Sequence, residues 1–345
     1  MPQWDRTGLV FARNRTGDGS EVIGDPCVVW DPEIDSWRMV MFFDPPGHAD
    51  SVSDDPTGAP GSWTAPRPLR FANPEALPAN GGTHKPFVVM DAAHPNRAAF
   101  VDGRYWLLTV SFTGRSRAKR VQRAWATSLA GPWTLETGDF IPRGKPGSAD
   151  ENHVDAISGF WFEDRQEFVY YYMGYPLRPQ PWRNSPYGDS LCVATQQLGE
   201  SVVKRGVMIA PSPVAGHWTS GYLGGLQLIP GRQHRWLAVL NGSPTPPDRL
   251  GNMTSEEPPP SLGGLAYTDA ELPIEGWVIS DGPFERIDEI PQDAFAAGEG
   301  VNFWRHHALI AGDTVRLFYN SGRYGTEQLF SKEMTRRQPD PASAG

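Results

Sequence analysis

Residues 153–174 read HVDAISGFWFEDRQEFVYYYMG: an apolar strand, the polar turn FEDRQ, and a second strand rich in aromatic and β-branched residues. The pattern is that of a β-hairpin. Four more stretches repeat the second strand: RMVMFFD from Arg38, YWLLTVS from Tyr105, RWLAVLNG from Arg235 and VRLFYNS from Val315. Each follows a partner strand, namely DPCVVWD from Asp25, KPFVVMD from Lys85, YLGGLQLI from Tyr222 and HHALIAG from His306. A third element and a Gly-x-Trp corner follow several of them, at Trp63, Trp133 and Trp277. A four-stranded unit written five times predicts an all-β fold, a five-bladed β-propeller, whereas a β-sandwich would lack so long a repeat.

The fifth unit stops after its third strand, around EQLFSKEM at 327–334, while the chain opens with an orphan strand, GLVFAR at 8–13. Pairing the two closes the ring and hides an open sheet edge. One propeller over 1–335 is therefore expected, with a disordered tail at 336–345. Insertions at 46–83, 176–190 and 243–262 are rich in Pro, Gly, Ser or Asn and read as rim loops.

Composition narrows the function. A net charge of −9 without a basic stripe argues against a nucleic-acid partner and for a neutral or cationic small molecule. Apolar runs are only strand-sized, so no membrane span is expected. The N-terminal MPQWDRTGLVFARN lacks the basic start and long apolar run of a secretory signal, which favours a cytoplasmic location. Cys27 and Cys192, the only cysteines, cannot build a disulfide framework and read as packed thiols. No HxH or HxxxH pairing appears, so neither a metal nor another cofactor is expected, although a central calcium remains an alternative.

In a propeller the innermost strands converge on one funnel, so aligning their starts proposes a site. The interval from Asp25 to Arg38 equals that from Asp155 to Phe168, which makes the two aspartates equivalent. The same register places Lys85, Ser220 to Tyr222, and His306 at the funnel. His84 and His153 flank it. Trp182, Trp218 and Trp304 are candidate sugar-stacking platforms. An aspartate before proline or at a strand start also serves local capping, so Asp25 and Asp155 each have a bland reading beside the functional one.

The DP at Asp25, the HVDAISGFWFEDRQEFVYYY stretch and the ATSLAGPW corner resemble the five-bladed glycoside hydrolases of families 43, 32, 62, 117 and 130. The resemblance implies that Asp25 is the general base or nucleophile and Asp155 a second, orienting carboxylate. A glutamate acid is implied about one blade later, yet no Asp or Glu occurs from Ser201 to Pro247. Glu299 and Glu151 are the replacements on offer, and His153, His306 or His307 could also deliver a proton. Glycoside cleavage needs one carboxylate to activate water or attack, and one acid for the leaving oxygen. At least one funnel carboxyl is expected to have a raised pKa from burial and like charge.

Three functions stay open. The first is a glycosidase-like enzyme acting on a small glycoside or oligosaccharide. The second is a lyase, cyclase or isomerase on the same scaffold. The third is a sugar-binding module without catalysis.

Overall fold

The structure, a computed structural model, describes residues 5–12, 22–43, 47–77, 83–113, 118–177, 189–214, 216–231, 233–244, 261–285, 303–322 and 327–335. Five small, mainly antiparallel sheets form a five-bladed propeller, with no α-helix among the described residues. No helix there is long and apolar enough to cross a membrane.

Blade one runs outward through Ile23–Asp31, Ser36–Phe43, Gly47–Ser53 and Arg67–Pro68. Blade two uses Thr83–Val88, Tyr105–Thr113, Ala118–Ala126 and Thr134–Leu135. Blade three uses His153–Phe162, Glu167–Tyr175, Ser190–Gln197 and Val203–Ile209, and Met90–Asp91 lies parallel to its inner strand as a fifth member. Blade four comprises Tyr222–Pro230, Trp236–Ser243, Leu262–Thr268 and Val278–Ile279. Blade five comprises Phe303–Ala311, Thr314–Ser321 and Gln328–Thr335, and its outer strand is Asp5–Phe11 from the start of the chain.

That last strand is the expected closure: Leu9 stands opposite Phe330 and Phe11 opposite Leu329, antiparallel. The segment 46–83 differs from its reading as a rim loop. Within it, Gly47–Ser53 and Arg67–Pro68 are the two outer strands of blade one. Their polar sequence hid them, because GHADSVS lacks the β-branched and aromatic residues that mark a strand. Most of 176–190 and 243–262, Trp182, Glu299 and the 336–345 tail lie outside the described residues.

The inner strands pack side by side in ring order, each against the next blade. With both faces covered they read as continuous apolar runs; every residue of His153–Phe162 is buried. Cys27 and Cys192 are free and buried.

Beneath the funnel a few polar side chains tie distant blades together. Asn96 donates to Val28 O and Ala308 O, at 3.1 and 2.8 Å. Gln227 Nε2 donates to Ala308 O at 3.0 Å, and His307 Nε2 donates to Val28 O at 3.1 Å. These bonds satisfy inner-strand carbonyls that have no ladder partner across the axis.

Candidate active site

All five inner strands carry the same defect. Their pairing with the next strand slips between Gly24 and Cys27, His84 and Phe87, Asp155 and Ser158, Gly224 and Gln227, and Trp304 and His307. Each slip is a β-bulge whose first residue has a positive φ: Asp25 at 52°, Lys85 at 54°, Ala156 at 50°, Gly225 at 61° and Arg305 at 50°. Four of these are not glycine, a conformation costing on the order of 1–3 kcal/mol apiece, and strain of this kind gathers at functional sites.

Pairing at the bulges corrects the sequence alignment, by one residue in blades three and five and by more in blade four. Asp25 is equivalent to Ala156, not to Asp155, and Arg38 matches Val169 rather than Phe168. In blade four the equivalent residue is Gly225, not Ser220 to Tyr222, and in blade five it is Arg305, not His306. The bulge is common to all five strands, so the offset comes from which residues pair across each hairpin, and strand spacing does not fix that.

Side chains satisfy the bulge amides. Asp25 N donates to Asn320 Oδ1 at 2.6 Å, and Arg305 N to Asn241 Oδ1 at 2.9 Å. Lys85 N donates to Asp25 Oδ2 at 3.2 Å, and Ala156 N to Asp155 Oδ1 at 2.7 Å. Both aspartates therefore have a structural task in addition to any chemistry. Asp25 Oδ1 also accepts Asn320 Nδ2 at 3.1 Å, and among the described residues no cation pairs with this carboxylate.

Asp155 is fully buried and closed off by charge. Lys85 Nζ lies 2.8 Å from both of its oxygens, Lys119 Nζ 2.5 Å from Oδ2, and Tyr175 OH 3.2 Å from Oδ2. Burial pushes against its ionisation, but Lys119 and then Lys85 outweigh that and hold the carboxyl well below the usual range. The shift at Asp155 is thus opposite to the raised pKa expected of a funnel carboxyl, because opposite charges stand where a like charge was anticipated. Burial lowers the Lys85 pKa, with Asp155 opposing. His153 Nδ1 accepts the Lys119 N–H at 3.0 Å and its ring meets Tyr175 edge-on. Burial, then the Lys85 and Lys119 charges, keep buried His84 neutral.

An aromatic wall faces this charged side. Tyr222 stacks on half-buried Trp304 with ring centres 5.7 Å apart and 8° between planes, and its OH donates to Ser261 Oγ at 2.5 Å. Ala156, Met173 and Tyr175 pack with the pair.

The remaining candidates are placed elsewhere. Trp218 is buried in blade four, its Nε1 donating to Ser280 O at 2.9 Å, and a side chain at Gly242 or Gly264 would collide with its ring. Ser220 lies in the turn that follows it, its N–H donating to His217 O at 2.8 Å. Glu151 accepts the Gly147 N–H at 2.7 Å in an exposed turn. His306 is buried with Glu285, its Nε2 2.9 Å from Oε2, while Lys332 pairs with the other Glu285 oxygen. Burial resists the Glu285 charge, yet His306 and Lys332 hold its pKa at about 2. Burial lowers the His306 pKa, with Glu285 opposing. Among the described residues no three His, Cys, Asp or Glu side chains are grouped to hold a metal ion.

Sequence reading missed Lys119, Tyr175, Asn241, Arg305 and Asn320. A signal existed for the asparagines: LNG and YNS place Asn at the same point of two repeats. Lys119 and Tyr175 had none, since they arrive from middle strands.

No family model and no curated protein matches the chain. Among solved structures, it resembles one titled a glycoside hydrolase, at 15% identity and TM-score 0.66, over 98% of this chain and 95% of that one. A structure from the GH130 family of mannoside phosphorylases, described as containing hydrolases of β-1,2 mannosidic linkages in Candida mannan, gives 12% identity, TM-score 0.66 and coverage of 98% and 95%. The catalytic domain of a Coprinopsis cinerea GH62 α-L-arabinofuranosidase gives 13%, 0.61, and 97% and 96%. At such identities the likeness is one of fold.

Proposed function

We propose that this chain is a glycosidase-like, carbohydrate-active enzyme whose general base is Asp25. One observation carries the reading: at the ring of bulges Asp25 is a carboxylate without a cation partner among the described residues, whereas Asp155 is neutralised by Lys85 and Lys119. A base must take up a proton, and a carboxylate clamped by two ammonium groups resists doing so. Asp155 then acts as a positioning residue, holding the ammonium groups of Lys119 and of Lys85, whose backbone N–H donates to Asp25.

In this reading Asp25 takes a proton from an attacking water while a sugar ring rests against Trp304, which buried Tyr222 backs. Glu299 is the leading acid. Glu151 is committed to its turn by Gly147. The similarity of fold to glycoside hydrolases supports the substrate class. A screen of aryl glycosides tests the reading: one or more should turn over, and Asp25→Asn should lower the rate by about 10²–10⁴-fold. Unchanged turnover in Asp25→Asn removes the base assignment.

A second reading, a non-hydrolytic lyase, cyclase or isomerase, is favoured by blade four. Its bulge residue is Gly225, and no carboxylate lies between Ser201 and Pro247 where the resemblance calls for an acid. Asp25 would then remove a proton from the substrate itself.

A further inference from the structure

Arg305 is the bulge residue of blade five, and its side chain is out of place by the ordinary rules of burial. Only 7% of the residue is exposed. A guanidinium stays charged in a protein and carries five N–H donors in a planar fork. Its Nη2 donates to Ile157 O at 3.1 Å, and among the described residues no carboxylate forms an ion pair with it. A buried charge is costly and is normally relieved by a hydrogen-bonded counter-charge; here the fields of Asp25 and Asp155 offset part of the cost without an ion pair to the fork.

The surroundings are built to hold this cation at the ring. Asn241 fixes its backbone, and Gly225 leaves room for that amide: a Cβ there would lie 2.9 Å from Asn241 Oδ1. Ala156, also small, is the bulge residue of blade three. Trp304, of the aromatic wall, immediately precedes Arg305. Arg305 lies in the field of both Asp25 and Asp155, and Lys85 and Lys119 stand on Asp155.

We propose that Arg305 receives a carboxylate of the ligand, so that the site takes an acidic sugar, such as a uronic acid or its glycoside, in preference to a neutral one. The inference rests on the sugar reading above for its substrate class, and on Arg305 alone for the charge. A planar carboxylate matches two parallel N–H donors of the fork, which a lone hydroxyl cannot.

Calorimetric titration of the whole chain with D-glucuronate and D-galacturonate, each beside its neutral amide, and with acetate, tests this. At least one acid should bind roughly tenfold or more tightly than its amide. Arg305→Gln should erase that preference and Arg305→Lys keep part of it. Equal binding of acid and amide, preference surviving in Arg305→Gln, or no binding by any probe overturns the proposal. Because the wild-type pairs are compared directly, a variant that fails to fold does not rescue it. Equal binding leaves the sugar reading intact. Acetate binding that is lost in Arg305→Gln, with no sugar bound, supports the anion site and sinks the sugar reading.

Discussion

Asn320 holds Asp25 at two points: its Oδ1 accepts the Asp25 N–H at 2.6 Å, and its Nδ2 donates to Asp25 Oδ1 at 3.1 Å. One amide from blade five therefore fixes both the strained backbone and the carboxylate of blade one. Space for it comes from Gly24, where a Cβ would lie 2.5 Å from both amide atoms of Asn320. Asn320→Ala should cost about 1–3 kcal/mol by leaving a buried N–H without a partner. Gly24→Ala should displace Asn320 and loosen Asp25 without altering any reactive group. Both should lower kcat more than they raise KM, which steady-state kinetics and denaturant midpoints will check.

Asp155→Asn should be the more damaging change to the fold. It leaves the Lys85 and Lys119 ammonium groups, 20% and 17% exposed, side by side without the Asp155 charge. Breaking a buried ion cluster from one side costs about 3–5 kcal/mol. Lys85→Met should cost less, since Lys119 remains on the carboxylate, and adding it to Asp155→Asn should recover stability. Urea denaturation of the three variants gives the comparison; an additive double mutant would show that the cluster is not coupled.

The five strand pairs, their closure through residues 8–11 and the convergence of Asp25, Lys85 and Asp155 on one funnel were legible, because apolar strands and the turns between them mark the chain at regular intervals. What was not legible was the bulge. Spacing alone put Asp25 level with Asp155 and passed over Arg305, since the apparent start of a strand does not fix its pairing: Arg38 stands opposite Val29, and in blade three Val169, not Phe168, takes the matching place opposite Phe160. Lys119 and Tyr175 were out of reach for another reason: they come from middle strands whose alternation shows that they leave the sheet, but not toward which neighbour. Blade one's outer strands were read as loop because the polar residues of Gly47–Ser53, though buried, are satisfied by Arg38, Thr64 and Thr109 rather than by apolar packing.

Stability should fall on acidification, in two windows. The His48 Nε2–H donates to Thr109 Oγ1 at 2.6 Å, as Thr109 itself donates to His84 O, and His307 donates to Val28 O. Burial lowers both pKa values from 6.5 to about 3. Above 6.5 neither matters. Below it the unfolded chain takes up protons that the native state refuses, so stability drops by up to about 1.4 kcal/mol per pH unit for each histidine. Glu285 adds a lower window: its pKa of about 2, against an unfolded 4.5, means stabilisation that is present above 4.5 and lost as pH falls toward 2. His307→Asn should flatten the first window and Glu285→Gln the second, as read by thermal melts between pH 7 and the acid limit of folding.

Removing residues 1–11 should expose the Gln328–Thr335 strand as an open edge, since Asp5–Phe11 is its only outer partner among the described residues. An unpaired edge recruits other chains. The shortened protein should melt earlier and self-associate, with light scattering rising with concentration. A monomer as stable as the full chain would show that the closing strand contributes little.

The choice between hydrolysis and proton transfer on carbon turns on Asp25 and on what lies opposite it. Hydrolysis with inversion requires an acid roughly 6.5–9.5 Å from the base, with water and sugar between. If Glu299 is that acid, Glu299→Gln should slow glycosides with poor leaving groups far more than activated aryl glycosides, which need little protonation. Glu151→Gln should not reproduce this dependence, because its carboxylate is held by the Gly147 N–H. Heavy-oxygen water should then leave its label on the released sugar. In the non-hydrolytic reading no label is incorporated. Instead, a sugar acid incubated in deuterium oxide should exchange a carbon-bound proton with the wild type and not with Asp25→Asn. Carboxylate binding by Arg305 would favour this second outcome, since a guanidinium on the carboxylate acidifies the adjacent C–H bond. Label in the sugar decides for hydrolysis, and exchange that depends on Asp25 decides against it.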